Sequence, residues 1–176
     1  MSHKGFNLIE LVLYIGITAI ILTASLSLAW GVIFDQVKTT AKSEIEYNYQ
    51  FLDNFLRNQI QTAKSVNMTL SVLNANPSRL VLNNPDDSIT IIEVENKTIN
   101  QNGQNFILSG LKVTLPSTAP LSLITTKTDA TNFIIHYSAL NKQLITDLSL
   151  EYLNPSQDPR YEASKTWTNT TTLRAE

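Results

Sequence analysis

Glu10 is the residue whose type and position ask for chemistry first: a carboxylate at the head of the uncharged run Leu11 to Phe34. A charged side chain near the centre of a membrane helix costs about 2.5–3.5 kcal/mol on insertion scales, and Glu10, nearer the end, carries part of that cost unless a cation pairs with it. The chemistry on offer is ion pairing in low dielectric. The other titratable groups are poorer candidates. His3 stands ahead of the run and His136 is alone in an alternating pattern, so a His/Cys metal site lacks ligands, and no Gly-x-Ser-x-Gly elbow supports a Ser-His-Asp nucleophile. Asp86-Asp87 and the group Glu151, Asp158 and Glu162 offer oxygens to calcium, but without EF-hand spacing they read better as solvated loops. The absence of cysteine excludes disulfides, thiolate metal sites and a cysteine nucleophile. No catalytic, cofactor-binding or metal-binding residue is assigned, and the chain is expected not to be an enzyme.

Positioning Glu10 is the work of a helix. Leu11 to Phe34 exceeds the roughly 20 apolar residues that cross a bilayer core. Gly16 and Gly31 are its only weak helix formers, Thr18, Thr23, Ser25 and Ser27 can bond back to their own backbone, and no proline occurs before Pro77. The helix is therefore free to continue past the membrane. His3 and Lys4 precede the span and Asp35 follows it, so the positive-inside tendency places the amino end in the cytoplasm and everything after Asp35 outside. Two other readings compete. In one, a secretory signal is cut after Ser27-Leu28-Ala29, before Trp30, releasing a secreted β domain; the apolar run is longer than the usual 7–15 residues of a signal core, and an acidic head is unusual there. In the other, a plain anchor tethers an unrelated outer domain that does not polymerise, which leaves Glu10 without a purpose.

The segment Gly5-Phe6-Asn7-Leu8-Ile9-Glu10-Leu11-Val12 resembles the processing site of type IV pilins and pseudopilins: a short basic leader ending in glycine, then phenylalanine, then glutamate as the fifth mature residue, then an apolar stretch. The resemblance implies that a prepilin peptidase cuts between Gly5 and Phe6, that the new amino group of Phe6 is methylated, and that Glu10 meets the amino terminus of a neighbouring subunit during assembly. It implies further partners: other pilin or pseudopilin subunits, an inner-membrane assembly platform and membrane lipid. The expected location is a single-pass precursor in the inner membrane with its head outside the cytoplasm, then a pilus or pseudopilus filament. The passage from Asp53 to Ser65 into Arg79-Leu80-Val81-Leu82 is similar to that of minor pseudopilins, and Thr172 to Arg174 resembles the closing strand of many prepilin-type proteins. A minor subunit is favoured over a major one.

At 176 residues the chain has length for one modest domain beyond the anchor. Although 43% of residues are hydrophobic, the mean hydropathy is only −0.05, so the apolar weight gathers at the amino end and leaves a polar, Asn- and Thr-rich remainder suited to an extracytoplasmic surface. Val37, Ala41, Ile45, Tyr49, Leu52, Leu56 and Ala63 recur mostly at three and four spacing, an amphipathic helix whose apolar side Tyr47, Phe51 and Phe55 would widen. After Val66 the period switches to two. Strands are predicted at Arg79–Leu82, Ile89–Val94, Phe106–Leu108, Lys112–Leu115, Leu121–Thr125, Phe133–Tyr137, Leu144–Tyr152 and Thr168–Leu173, with turns at 83–86, 95–97, 102–103, 109–110 and 116–120. The organisation predicted is a leader over 1–5, a membrane and filament-core helix over 6–34, an amphipathic helix over 35–66 and a β-rich head over 67–176. The fold class is α+β, pilin-like, with a long N-terminal helix on an antiparallel sheet. A net charge of −2 without a basic cluster gives little phosphate-neutralising power, so direct nucleic-acid binding is not expected.

Overall fold

The computed structural model describes residues 8–101, 103–154 and 157–174. Among them, one α-helix, α1 (Leu8–Thr62), runs for 55 residues without a proline. At 1.5 Å per residue it is roughly 80 Å long. The strands that follow are β1 (Ser65–Val66), β2 (Arg79–Asn83), β3 (Ile89–Gln101), β4 (Gln104–Thr114), β5 (Leu121–Ser122), β6 (Thr128–Ser138), β7 (Gln143–Tyr152) and β8 (Ser164–Thr172), with a 3-10 turn at Pro159–Tyr161. They make two antiparallel sheets, one ordered β1-β2-β3-β4-β5 and the other β6-β7-β8. The architecture is α+β: a long N-terminal helix packed on antiparallel sheets, as the switch of period predicts.

The second half of α1 buries a stripe of Ala41, Ile45, Leu52, Leu56 and Ile60, continued by Ala63 just beyond its end. The helix packs chiefly on β8 and β7. Strand β7 alternates strictly, with Leu144, Thr146, Leu148 and Leu150 turned inward, the pleat placing every second side chain against the helix layer. Phe133 and Ile135 of β6 and Leu80, Leu82, Ile92, Leu111 and Val113 of the larger sheet complete the same core. The loop before β2 covers the outer edge of β6: Asn74 N–H donates to Ile135 O at 2.9 Å and Ser78 N–H to Phe133 O at 2.8 Å. Such cover removes an open template for foreign strands.

One member of the stripe is polar. Asn48 is 1% exposed and occupies the position where the apolar pattern places Tyr49. Its Nδ2 donates to Glu44 O at 2.9 Å and to Thr128 Oγ1 at 2.9 Å, while its Oδ1 accepts from Thr125 N–H at 3.2 Å. The amide thus pins the segment between β5 and β6 to the helix. Replacing it with leucine takes a donor from the buried Thr128 hydroxyl, which keeps only the Thr125 hydroxyl at 3.3 Å, and the acceptor from Thr125 N–H, so Asn48→Leu is expected to destabilise the head by about 1–3 kcal/mol. Urea unfolding of the detergent-solubilised full chain, followed by circular dichroism, measures this; an unchanged midpoint would show that the network contributes nothing.

Several boundaries differ from the sequence pattern. The helix ends at Thr62 because the chain turns into the sheet: Lys64 N–H donates to Asn83 O and Asn67 N–H to Val81 O, each at 2.8 Å, which makes β1. The turns predicted at 95–97 and 109–110 are absent. Instead β3 and β4 run straight through, with Glu95 opposite Gly110 and Lys97 opposite Leu108. Gly110 serves close packing, since a Cβ there would lie 3.4 Å from Glu95 O and from the Lys97 side chain. The hairpin signal at 102–103 holds: Gln101 pairs with Gln104, and Gly103 takes a φ of +81°; Asn102 lies outside the described residues. The strand predicted over Leu121–Thr125 stops at Ser122, because Leu123 and Ile124 drop into the core. Tyr47 and Phe51 do not widen the packed side; they are 66% and 44% exposed, one helical position off the stripe.

Candidate functional site

From Leu8 to Phe34 every residue of α1 is exposed, and none enters the core of the head. The first 27 residues of this helix thus present apolar side chains all round, from Leu8 at 79% exposure to Phe34 at 42%. This stretch is long and apolar enough to cross a membrane. Its two threonine hydroxyls are satisfied internally: Thr18 Oγ1 donates to Tyr14 O at 2.7 Å and Thr23 Oγ1 to Ala19 O at 2.8 Å. Bonded in this way they add little cost in hydrocarbon. Seven residues beyond Phe34, Ala41 is already fully buried, so the change from bare to packed helix is abrupt.

Glu10 sits in the first described turn of α1, on the exposed surface. Among the described residues it has no hydrogen-bond or ion-pair partner. A carboxylate at a helix amino end gains about 0.3–1 kcal/mol from the backbone dipole, too little to offset transfer of the charge into hydrocarbon. The other two residues singled out from the sequence, Gly5 and Phe6, lie outside the described residues.

No family model, curated protein or solved structure matches the chain.

The remaining candidates take their places in the head. His136 stands exposed on β6, its Nδ1 2.6 Å from Asn74 Oδ1 and its Nε2 3.5 Å from Asp147 Oδ2. Thr168 Oγ1 donates to Asp147 Oδ1 at 2.5 Å, so the order is Thr–Asp–His: the hydroxyl meets the carboxylate and not the imidazole that would have to activate it. Asp86 accepts from the Ser88 hydroxyl and N–H, which hold its carboxyl below the usual range. Asp87 lies 3.6 Å from Lys64 Nζ. Asp158 caps the 3-10 turn and grips Arg160, whose guanidinium holds that carboxyl low while the carboxylate raises the arginine. Among the described residues no three of the His, Asp and Glu side chains gather closely enough to hold a metal ion.

Sequence reasoning missed the junction between bare and packed helix. Trp30 and Phe34 lie one turn apart with ring centroids 6.2 Å apart, and the Arg160 guanidinium sits 4.9 Å above the Phe34 ring. About three to four turns further along α1, Lys165 Nζ lies 3.7 Å above the Tyr49 ring and bonds Glu46 Oε2 at 2.6 Å, which lowers the Glu46 carboxyl. Tyr49 in turn meets Trp167 edge-on, centroids 4.5 Å apart. The spacing of Trp30 and Phe34 is visible in the sequence; that residue 160 returns to meet them is a matter of tertiary structure.

Proposed function

We propose that the chain is a pilin-like structural subunit, made as a membrane-anchored precursor, cut by a prepilin peptidase between Gly5 and Phe6, methylated at Phe6 and assembled into a type IV pilus or a type II secretion-like pseudopilus. The observation that carries this reading is the single unbroken helix whose first half is bare on all sides and whose second half is packed on the sheets. A bare apolar cylinder of this length needs a cover of lipid or of other helices. Exchanging one cover for the other changes the hydrophobic term little, so association depends on packing and polar contacts. Glu10 supplies such a contact: it needs a cation, and a freed amino group at Phe6 of a neighbouring subunit is one of matching charge. The head, joined rigidly through α1, then projects from a core built of residues 6–34. An inner-membrane assembly platform would lift subunits from the bilayer, and the head would travel on the outer side throughout.

The test is expression of the full chain with and without a prepilin peptidase, with the amino terminus of the product read by mass spectrometry. A peptidase-dependent start at methylated Phe6 is expected. An intact Met1 would mean a plain anchored β domain, and a start at Trp30 a secreted one; either result overturns the filament reading.

A further inference from the structure

We propose that the 3-10 turn Pro159–Tyr161 and the Trp30–Phe34 pair form a collar that binds the phosphates of phospholipid headgroups where α1 leaves the bilayer, seating the head against the membrane surface. The inference rests on the membrane-span part of the proposed function and is independent of filament assembly.

Depth is the first argument. From Glu10 to Trp30 an α-helix rises about 30 Å, the thickness of a bilayer hydrocarbon core. With the carboxylate held at one boundary, the indole falls at the other, and Phe34 lies one turn beyond it. Aromatic side chains concentrate at this depth, the amphipathic rings of Trp and Tyr above all. Tyr161 adds another: its ring stacks on Tyr152, centroids 6.3 Å apart and planes 9° from parallel, and remains 36% exposed. The turn itself packs on α1, so Arg160 and Tyr161 stand beside the end of the span.

Arg160 gives the collar its headgroup chemistry. Its side chain is 40% exposed. Asp158 takes Nε and Nη2, which fixes the plane of the guanidinium, and no hydrogen bond among the described residues uses Nη1. A guanidinium held in this way over an aromatic ring, partly exposed and with Nη1 unused among the described residues, suits a phosphate oxygen, and its weak hydration makes transfer to the interface tolerable. The charges nearby are balanced: Lys42 and Lys165 line one hollow with Glu46 and Glu162, and Asp35 and Lys38 lie earlier on α1. The collar therefore works through directed hydrogen bonds and ring burial, and is expected to seat on zwitterionic as well as anionic lipid. If the Asp158–Arg160 pair served only to lock the turn, the aromatic cluster and its place at the end of the span would be unconnected facts.

The chain has no cysteine, so single labels can be placed at will. Full-length Glu162→Cys, Leu22→Cys and Leu140→Cys proteins, each carrying a nitroxide, are reconstituted in phosphatidylcholine vesicles. Leu140 is 94% exposed on the β6–β7 turn, at the end of the head far from the span: Lys142 O accepts from Leu173 N–H, and Arg174 lies beside Gln59 and Thr62. Relaxation is measured with oxygen, with a soluble nickel chelate and with nickel chelated to a lipid headgroup. The Leu22 label should respond to oxygen, the Leu140 label to the soluble chelate alone, and the Glu162 label strongly to headgroup nickel. Adding Arg160→Gln with Tyr161→Ser should abolish the headgroup response at position 162 and leave Leu22 unchanged. A Glu162 label as aqueous as that at Leu140, with Leu22 still in hydrocarbon, overturns the collar alone. An aqueous Leu22 label overturns the membrane span and the collar with it. Should the double variant fail to fold by near-ultraviolet circular dichroism, the comparison of Glu162 with Leu140 in the otherwise natural chain decides the matter.

Discussion

Glu10→Ala is expected to leave membrane insertion and peptidase cleavage intact and to reduce entry of the subunit into filaments by at least about tenfold, the factor that ~1.4 kcal/mol of lost pairing corresponds to. The two halves of this expectation have separate causes. Insertion should improve slightly, because alanine removes a charge whose transfer into hydrocarbon is unfavourable. Assembly should fail, because in the proposed filament the carboxylate would gain its cationic partner only from a neighbouring subunit, and in low dielectric such a pair is worth far more than in water. Glu10→Gln separates charge from shape: it keeps the side-chain volume and hydrogen-bonding capacity while removing the ionic attraction, and should fail nearly as badly. Shear-released filaments probed for each variant, against the membrane-resident pool, make the measurement. Normal incorporation of both variants would remove the role given to Glu10 and leave its position unexplained. Incorporation of Glu10→Gln alone would shift the role from charge to hydrogen bonding.

What the sequence shows plainly is whatever depends on local pattern. The apolar run and the stripe from Ala41 to Leu56 read directly into one helix, because both need only the 3.6-residue period. The period-two segments become β2, β6, β7 and β8 within a few residues. Errors arise where a tertiary contact outweighs composition. Gly110 reads as a turn residue, yet in the fold it lets β3 and β4 approach closely and so continue as one long hairpin. The apolar pattern places Tyr49 in the stripe, yet Asn48 takes that place because Thr125 and Thr128, far away in sequence, arrive to satisfy its amide. The division of the strands into two sheets, with α1 lying mainly on β7 and β8, has no local signal either. At the site the contrast is similar. Glu10 is legible because a charge at the head of an apolar run is costly in any fold. Arg160 is not, since only the return of the chain between β7 and β8 brings it over Phe34.

Phe133→Ala is expected to cost the head about 3–5 kcal/mol, the largest single-residue loss in the molecule. The ring is fully buried in the middle of β6, with Leu148 opposite it on β7, itself fully buried. Truncation leaves a cavity that its surroundings cannot readily collapse to fill, because both backbone polar groups of this residue are fixed to the loop before β2: Phe133 N–H donates to Asn76 Oδ1 at 3.2 Å, and its carbonyl accepts from Ser78 N–H. Domains of this size are stable by only about 5–15 kcal/mol, so the variant should be partly unfolded at growth temperature. Ile107→Ala, on a side chain 71% exposed, should by comparison shift stability by no more than about 0.5 kcal/mol. The consequence for function is selective. The span from Leu8 to Phe34 makes no contact with this core, so a Phe133→Ala chain should still insert in the membrane, while its head becomes sensitive to protease. Urea unfolding in detergent and limited proteolysis of membrane-inserted protein report the two properties separately. A loss below about 1 kcal/mol would mean that the ring is not packed as described, whereas loss of insertion would mean that the helix depends on its head to enter the bilayer.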